Sequence, residues 1–283
     1  MAARDAFTNA NYGYGTAPVV SVTTSGGTRY SHEARWFGRE LGNDEYAGMV
    51  GAPDGATVSA SWSGSGDSLV ISTRHRWYSS LRTFERKTAR ALNRFIRGTT
   101  RLAAVGGSPR ATPTYVTDGL FCENQSFFTR AGAPAGVGSR VLGNQVKKLM
   151  SLGFQMLHVH GVGSRRHNSP SSAGPLAVAT GNDHSGYCVW PKLGYQASFT
   201  PTQLMNARAT ARTRGVRVVP EPPGLDGIRD FNTLQSTDLG RAWWEEYGEG
   251  GYWFFDLRRD SVQRTFQDEY HTSRGINLGP DPY

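Results

Sequence analysis

A short glycine-containing segment in the middle of the chain has the residue types that hold phosphate groups. Gly136 and Gly138 flank Val137, follow an apolar stretch that predicts a strand, and open a segment with helical periodicity. The first N–H groups of a helix have no partner within the helix, and the helix dipole adds partial positive charge there. The amides of residues 136–139 therefore predict a site for a pyrophosphate-bearing cofactor. A glycine pair also occurs where only tight backbone packing is needed.

The segments around these glycines predict a strand–helix–strand unit. Apolar side chains recur with helical spacing from about residue 137 to residue 152, and Gly153 then supplies a left-handed helix end. Residues 154–160 follow as a predicted short strand. Short connections of this kind favour a parallel crossover of right-handed sense.

Two segments resemble the GNAT acetyltransferases. Residues 133–142 resemble that family's acyl-CoA signature, in which Gln or Arg, two residues, Gly, one residue and Gly or Ala follow one another. Residues 190–195 resemble its closing segment, in which an aromatic residue precedes a Gly-aromatic pair by four positions. The chain departs from the pattern at Ala133, where the family prefers Gln or Arg. It departs again at Trp190, where the family often has the tyrosine that protonates the leaving thiolate.

The resemblance covers roughly residues 34–195 and implies a divergent member of the GNAT superfamily. It implies acetyl-CoA or another acyl-CoA as the cofactor and an unidentified amine as the acceptor. The family holds the cofactor phosphates largely on main-chain amides, so the resemblance implies a site that does not depend on the side chain missing at position 133. The implied cofactor-binding residues are Gly136, Val137, Gly138, Ser139 and Arg140.

Direct attack of an amine on a thioester needs a base and sometimes an acid. If the chain is such an enzyme, Glu123 is the expected base, because it lies on the strand just before the cofactor turn. Asp118 on the same strand, or His158 and His160 on the following strand, are alternatives. Tyr187, three residues before Trp190, is the candidate acid. A carboxylate in an extended strand is also often an ordinary solvent-facing residue.

The whole positive charge excess comes from one segment. Residues 74–101 contain nine basic side chains and one acidic one, so their net charge of +8 equals that of the entire chain. A helix is predicted over about residues 80–97, with apolar side chains on one face and arginines every four residues on another. Like charges at this spacing repel, so the stripe indicates an anionic partner: nucleic acid, an acidic protein face or the cofactor's phosphates. A merely solvated basic helix is the alternative. The stripe consists of Arg82, Arg86, Arg90, Arg94 and Arg97.

Composition and motifs argue against several other classes of protein. Two cysteines cannot build a disulfide framework or a paired-cysteine zinc site, and the histidine spacing fits no familiar zinc finger, so no metal is predicted. No Walker-type, Gly-x-Ser-x-Gly or His-Glu-x-x-His motif supports a nucleotide triphosphatase or hydrolase. No apolar window has the length of a signal peptide or membrane span, so we expect a soluble cytoplasmic protein, or a virion component, without a membrane partner.

The pattern along the chain predicts an α/β (α+β) fold with a GNAT-like central mixed β-sheet flanked by helices. Residues 1–30 are expected to form an irregular arm available to an assembly partner. A GNAT-like domain is expected at residues 31–219, with a hairpin at 56–72 and a basic helical insertion at 79–101. A C-terminal extension with helices and many aromatic residues is expected at 220–283, packed on the main domain.

Shorter elements complete this expectation. A helix is predicted from the capping sequence at residues 200–203 to Gly215, followed by a strand at 216–219. A last helix is predicted from Asp260 or Ser261. The crowded tryptophans, tyrosines and phenylalanines of residues 243–255 are expected to be core or docking surface rather than a platform for base stacking.

These expectations favour an acyl-CoA-dependent N-acyltransferase that transfers acetyl groups to an amine. The alternative is a catalytically silent protein of the same fold that binds nucleic acid, or serves as a structural component of a larger assembly such as a virus particle, through its Arg-rich helix. The departures at positions 133 and 190 and the long terminal segments favour the alternative.

Overall fold

A mixed seven-stranded β-sheet with strand order β1-β2-β3-β4-β5-β6-β7 organises the described part of the chain. The computed structural model describes residues 17–88, 90, 119–133, 137–164, 190, 195, 201–214, 219–228 and 231–258. The chain divides into two units, one comprising residues 1–88, 118–157 and 256–283 and the other residues 89–117 and 158–255. The mixed sheet with flanking helices confirms the expected α+β class.

The strands are β1 (Val19–Thr24), β2 (Thr57–Trp62), β3 (Ser68–Arg74), β4 (Tyr78–Lys87), β5 (Gly119–Thr129), β6 (Phe154–Ser164) and β7 (Glu249–Asp256). The helices are α1 (Arg29–Phe37), α2 (Asn43–Met49), α3 (Val137–Ser151), α4 (Pro201–Arg214), α5 (Phe231–Gln235) and α6 (Asp238–Tyr247). Among the described residues, none of these helices is both long and apolar enough to cross a membrane.

The expectation of an irregular arm over residues 1–30 is wrong for residues 19–24, which form β1. β1 pairs in parallel with β2 along its whole length, and alternate residues of β1 are half-buried. Pairing with a distant strand orders a segment whose own sequence shows no strong periodicity. α1 follows at a capping box, in which Thr28 Oγ1 accepts a hydrogen bond from the Ser31 amide at 3.1 Å.

The predicted hairpin is confirmed, because β2 and β3 pair antiparallel across the turn at residues 63–67. The predicted basic helix is wrong over residues 80–87, which belong to strand β4. Arginines four residues apart, such as Arg82 and Arg86, also fit a strand, since four is a multiple of its two-residue repeat. Pairing of β4 with β3 and β5 outweighs helix propensity. Arg90 is helical, and residues 89 and 91–101 lie outside the described residues.

One face of the sheet in the first unit is covered by helices. Residues directly opposite each other on neighbouring strands share a face. One buried row joins Ala60, Ile71, Arg82 and Asn124 across β2 to β5. α1 contributes to the cover through Trp36, whose ring lies edge-on to Trp62 at a centroid distance of 4.9 Å.

The other face, which we call the open face, carries polar and partly exposed side chains. Three of its rows across β3, β4 and β5 are Arg74–Ser79–Phe128, Ser72–Leu81–Ser126 and Val70–Thr83–Glu123. A fourth row, Ser68–Glu85–Phe121, ends on the buried Phe121. All side chains of the first three rows are half-buried or exposed, in contrast to the buried rows of the covered face.

The predicted strand–helix–strand unit is confirmed as β5, α3 and β6. Gly153 has a φ of +77°, as the predicted left-handed helix end requires. α3 packs closely against the end of α2, where Gly51 has a φ of +65° and a Cβ atom would lie 1.9 Å from the Val141 carbonyl oxygen. Only glycine permits this approach, which holds α3 in place over the covered face.

The second unit has an aromatic core. Phe231 of α5 lies edge-on to Trp244 at a centroid distance of 4.6 Å and to Trp253 at 4.4 Å. Trp243, Trp244, Trp253 and Phe255 are buried, so of the two expected roles, core or docking surface, these four aromatics have the first. The helix predicted from residue 201 is confirmed as α4. Val219 is not in a strand, and residues 216–218 and the helix predicted after Asp260 lie outside the described residues.

Candidate functional site

The first turn of α3 is fixed on a cluster of side chains at the ends of β4 and β5. Val137 is buried with Tyr78 and Val141, and Trp77, Phe127 and Ala133 are partly buried around them. The Val137 side chain is therefore part of the core, and only its backbone faces the start of the helix. Ser139 and Arg140 lie in the same turn, whereas Gly136 lies outside the described residues.

Position 138 is a glycine although the described structure leaves room for a side-chain carbon there. A Cβ atom there would lie 3.5 Å from the nearest described atom, a ring carbon of Phe127, which is ordinary van der Waals contact. The residue has helical geometry, and glycine inside a helix costs about 1 kcal/mol relative to alanine. Neither backbone strain nor crowding by the described residues explains this glycine. Close approach of a ligand to the backbone is a physical reason for it.

Glu123 lies on the open face of β5, opposite Thr83 of β4. Its side chain is half-buried, and its carboxylate makes no hydrogen bond or ion pair with any residue that the structure describes. A carboxylate in this state is free to accept a proton. Glu123 lies six positions before Thr129 at the end of β5, which corresponds to about 20 Å of strand.

The other candidates for proton transfer lie either outside the described residues or on β6, the strand next to β5 in the sheet. Tyr187 and Asp118 lie outside the described residues. His158 is buried in β6, and His160 belongs to the same strand. In the described parts of the chain, no group of three or more His, Cys, Asp or Glu side chains has the geometry of a metal site.

Trp190 and Tyr195 of the closing segment pack together. The Tyr195 amide donates to the Trp190 carbonyl oxygen at 3.2 Å, and their rings lie edge-on at a centroid distance of 5.1 Å. Tyr195 is fully buried and also lies edge-on to Phe255 at 5.6 Å. These two aromatics therefore stabilise the interior of the second unit, and residues 191–194 lie outside the described residues.

The expected arginine stripe does not exist as a single exposed row. Arg82 is 2% exposed and donates from Nη1 to the Ser126 carbonyl oxygen at 2.8 Å. Arg86 is exposed, and its Nη1 donates to the Arg35 carbonyl oxygen in the last turn of α1 at 3.0 Å. Arg90 is exposed, and Arg94 and Arg97 lie outside the described residues. Because residues 80–87 pair as strand β4, Arg82 is a core residue instead of a ligand contact. Arg86 instead contacts the end of helix α1.

Sequence reasoning missed a buried amide pair beside Arg82. Gln145 of α3 donates from Nε2 to Asn124 Oδ1 at 3.1 Å and to Cys122 Sγ at 3.6 Å. Burial raises the pKa of the Cys122 thiol, so the side chain stays protonated and is a poor nucleophile. Once residues 119–129 are recognised as a strand, its two-residue repeat places Cys122 and Asn124 on one face.

Three hydroxyl groups on the covered face are buried and have no hydrogen-bond partner among the described residues. They belong to Thr73, Tyr78 and Ser80. Thr73 and Ser80 are directly opposite each other on β3 and β4. Tyr78 also packs on the first turn of α3, and burial raises the pKa of its hydroxyl. Buried polar groups in proteins are usually paired, so this set marks the region as unusual.

The second unit has an open pocket of about 360 Å³ lined by Arg208, Arg212, Trp243 and three neighbours. Arg208 is engaged by carboxylates, with Glu221 as a close partner and Asp226 Oδ1 at 2.8 Å from Nη1. These ion pairs tie α4 to the turn at residues 221–226. The charge of Arg208 in this pocket is therefore balanced by two carboxylates.

Comparison of the chain with protein-family models, with curated proteins and with solved structures found no match.

Proposed function

We propose that this chain is a divergent GNAT-like, acyl-CoA-dependent N-acyltransferase that transfers an acetyl group to an amine. The observation that carries the proposal is the β5–α3–β6 unit. The second residue of its helix is Gly138, a glycine that neither backbone strain nor described neighbours require. Glu123 lies near the middle of β5, and its carboxylate has no partner among the described residues.

The separation of the two groups favours a long ligand. A phosphate at the first turn of α3 and a reaction beside Glu123 lie about 20 Å apart along β5. Acyl-CoA supplies an activated thioester at the far end of a flexible arm from its pyrophosphate. The first turn of α3 lies at the end of β5, where a ligand can pass from the helix-covered side to the open face.

Each residue then has a defined role. The backbone amides at Val137, Gly138, Ser139 and Arg140 donate to phosphate oxygens, because the first N–H groups of a helix lack partners within it. Glu123 accepts the proton that the acceptor amine loses as it attacks the acyl carbon. The departing sulfur takes a proton from Tyr187 or from water. Trp190, whose half-buried ring lies edge-on to Tyr195, cannot serve as this acid.

The first experiment measures acetyl-CoA binding by calorimetry. Gly138→Asp is expected to abolish binding, because it puts a carboxylate where the phosphates lie. Gly138→Ala should weaken binding while leaving the fold intact, since its Cβ fits against Phe127. Asn144→Asp is the control, because it adds the same charge at an exposed position farther along α3. Absence of binding by the unaltered protein at millimolar acetyl-CoA contradicts the proposal.

The second experiment separates catalysis from binding. Glu123→Gln should retain acetyl-CoA affinity and lose at least about a hundredfold in rate, as is typical when a general base is removed. The readout is release of free CoA thiol with a panel of amines. Equal rates for the two proteins would remove Glu123 from the mechanism.

Binding of nucleic acid or an acidic partner by the segment around Arg90 is the second candidate function. It is favoured by the concentration of the whole excess charge in residues 74–101 and by the exposure of Arg90. A structural role in a larger assembly belongs to the same candidate. Because Arg82 is buried, Arg82→Gln is not expected to act through lost ligand contacts. Charge reversal at Arg90 should weaken binding of a polyanion, and salt-insensitive binding would count against this candidate.

A further inference from the structure

Cationic and aromatic side chains meet at one end of the open face. Arg74, Ser79 and Phe128 form one row across β3, β4 and β5. Arg74 is exposed, and Phe128 is 44% exposed. A phenylalanine ring gains most of its stabilising effect by burial, so a partly exposed ring on a sheet face is available to a partner.

Two more arginines extend this row at the end of the sheet. Arg76 lies in the turn between β3 and β4, with its guanidinium carbon 4.8 Å from the centroid of the Trp77 ring. Arg130 follows β5 directly, and its amide donates to the Trp77 carbonyl oxygen at 2.8 Å. Trp77 therefore anchors both segments. Stacking holds the Arg76 guanidinium in a defined place, which reduces the entropy lost when it binds a ligand.

The positive potential of this end reaches the interior. The pKa of His75 is lowered, mainly by burial and further by the charges of Arg76 and Arg130. Arg74 and Arg130 make no ion pair with any residue in the described part of the chain. These two exposed cations, without a described carboxylate partner, attract an anion from solution.

We propose that Arg74, Arg76, Arg130 and Phe128 form a binding surface for single-stranded nucleic acid. The arginines contact phosphates, and a base stacks on the exposed face of Phe128. An open sheet face that combines cations with an aromatic ring suits unpaired bases, whereas a duplex keeps its base faces stacked inside. The hydroxyls of Ser79 and Ser126 on the same face can donate to phosphate or sugar oxygens. This surface lies on the open face, and the proposal does not depend on acyl-CoA binding.

The charge component is tested by fluorescence anisotropy with labelled 20-mers of deoxythymidine and of uridine across a salt series. Affinity should fall steeply with salt, and Arg74→Gln and Arg130→Gln should each make the slope of log K against log salt shallower by about 0.7. Lys147→Gln on α3 removes the same charge away from the open face and should leave the slope unchanged. The DNA and RNA arms report which sugar is preferred. No detectable binding of either oligomer at low salt overturns the proposal.

The stacking component is tested at Phe128. Phe128→Ala should weaken binding by about tenfold, within the range measured for loss of one base–aromatic stack, and should leave the salt slope unchanged. Val70→Ala is the control, because Val70 is an exposed apolar residue two rows away on the same face. Phe128→Leu keeps apolar contact without the flat ring and should behave like Phe128→Ala. Equal affinity of Phe128→Ala and the unaltered protein would show that no base stacks there and overturn the proposal.

Two competitors distinguish this surface from other anion sites. A duplex of mixed sequence and inorganic polyphosphate should each bind at least tenfold more weakly than the single strand. Equal binding by either would reduce the surface to unspecific charge attraction and overturn the proposal. Saturating acetyl-CoA should not displace the oligomer, and Gly138→Asp should bind it normally. Displacement by acetyl-CoA would assign the arginines to the cofactor instead.

Discussion

Two groups of buried polar side chains in the first unit differ in how many of their hydrogen bonds are made. The first group joins α1, α2 and β2 and is built around Glu33, which is fully buried. Its carboxylate accepts hydrogen bonds from Arg29 Nε and Tyr46 Oη, both at 2.5 Å, and from the Leu41 amide at 2.9 Å. Trp62 Nε1 donates to the Tyr46 hydroxyl at 2.9 Å.

The second group consists of the hydroxyls of Thr73, Tyr78 and Ser80, which have no partner among the described residues. Both groups lie on the covered face, and both contain a fully buried tyrosine. The difference is that Tyr46 donates and accepts, whereas the Tyr78 hydroxyl does neither within the described structure. Tyr78 contacts the first turn of α3, where the cofactor is proposed to bind.

The comparison shows what each group does for the fold. A buried hydrogen bond adds little net stability, but an orphaned partner costs its full desolvation. The Glu33 group therefore holds α1, α2 and β2 together and is costly to break. The unpaired hydroxyls of Thr73, Tyr78 and Ser80 lower the stability of the folded state. Natural proteins tolerate such a loss mainly beside functional sites.

The largest effect is expected from Glu33→Ala. It removes the acceptor of Tyr46, Leu41 and Arg29 at once and should lower the free energy of unfolding by about 3 kcal/mol, as for other broken buried pairs. Urea unfolding followed by tryptophan fluorescence measures this loss. A change below about 1 kcal/mol would mean that water replaces the carboxylate and that the group is not structural.

The second prediction sets the two tyrosines against each other. Tyr46→Phe orphans Trp62 Nε1 and removes a donor to Glu33, so it should destabilise by about 2 kcal/mol. Tyr78→Phe removes a hydroxyl that bonds nothing described and should leave stability unchanged or raise it by up to about 1 kcal/mol. Urea unfolding of both variants measures the two changes in the free energy of unfolding. Equal losses would contradict the distinction between the two groups.

The third prediction compares these buried groups with a partly exposed ion pair. Arg39 donates to Glu45 from Nη1 at 2.8 Å and from Nη2 at 2.5 Å. This hydrogen bonding, with that of the Gly42 amide, lowers the pKa of Glu45 to about 2 from 4.5. The unfolded chain therefore binds the proton more tightly, and the pair's contribution is present above pH 4.5 and is lost as the pH falls to about 2.

Glu45→Gln should accordingly cost about 1 kcal/mol at pH 7, since half-exposed pairs contribute little, and should flatten this part of the acid limb. Stability measured between pH 7 and pH 2 for both proteins checks it. An unchanged acid limb in the variant would assign the acid sensitivity to other carboxylates.

The smallest effect is expected from Thr73→Val, which replaces an unpartnered hydroxyl by a methyl group of similar volume. Stability should change by less than about 0.5 kcal/mol, or rise, because no described hydrogen bond is lost. Thermal unfolding is sufficient to detect a larger change. A loss of 1 kcal/mol or more would show that the hydroxyl has a partner in solution.

Local patterns in the sequence predicted several elements correctly. The β2–β3 hairpin and the β5–α3–β6 unit follow from alternation, helical spacing and glycine at turns, which act between residues close along the chain. α4 follows from its capping residues. The burial of the tryptophans near residue 243 follows from their size and number.

The candidate site was only partly predictable. The start of α3 and the presence of Glu123 on β5 follow from pattern, but the face on which Glu123 lies depends on the register of β5 against β4. The burial of Arg82 depends on the same register. The grouping of Arg74, Phe128 and Arg130 joins strands that are about fifty residues apart, which no local pattern reveals.

The amino-acid sequence alone determined the class of the fold, the glycine-led helix α3 and the concentration of positive charge in residues 74–101. The tertiary structure decided that residues 80–87 form a strand, that Arg82 is buried, and that Arg76 and Arg130 flank Trp77. The physical reason is that strand pairing is non-local. A spacing of four residues is compatible with a helix and with a strand, and only the hydrogen bonds offered by β3 and β5 select between them.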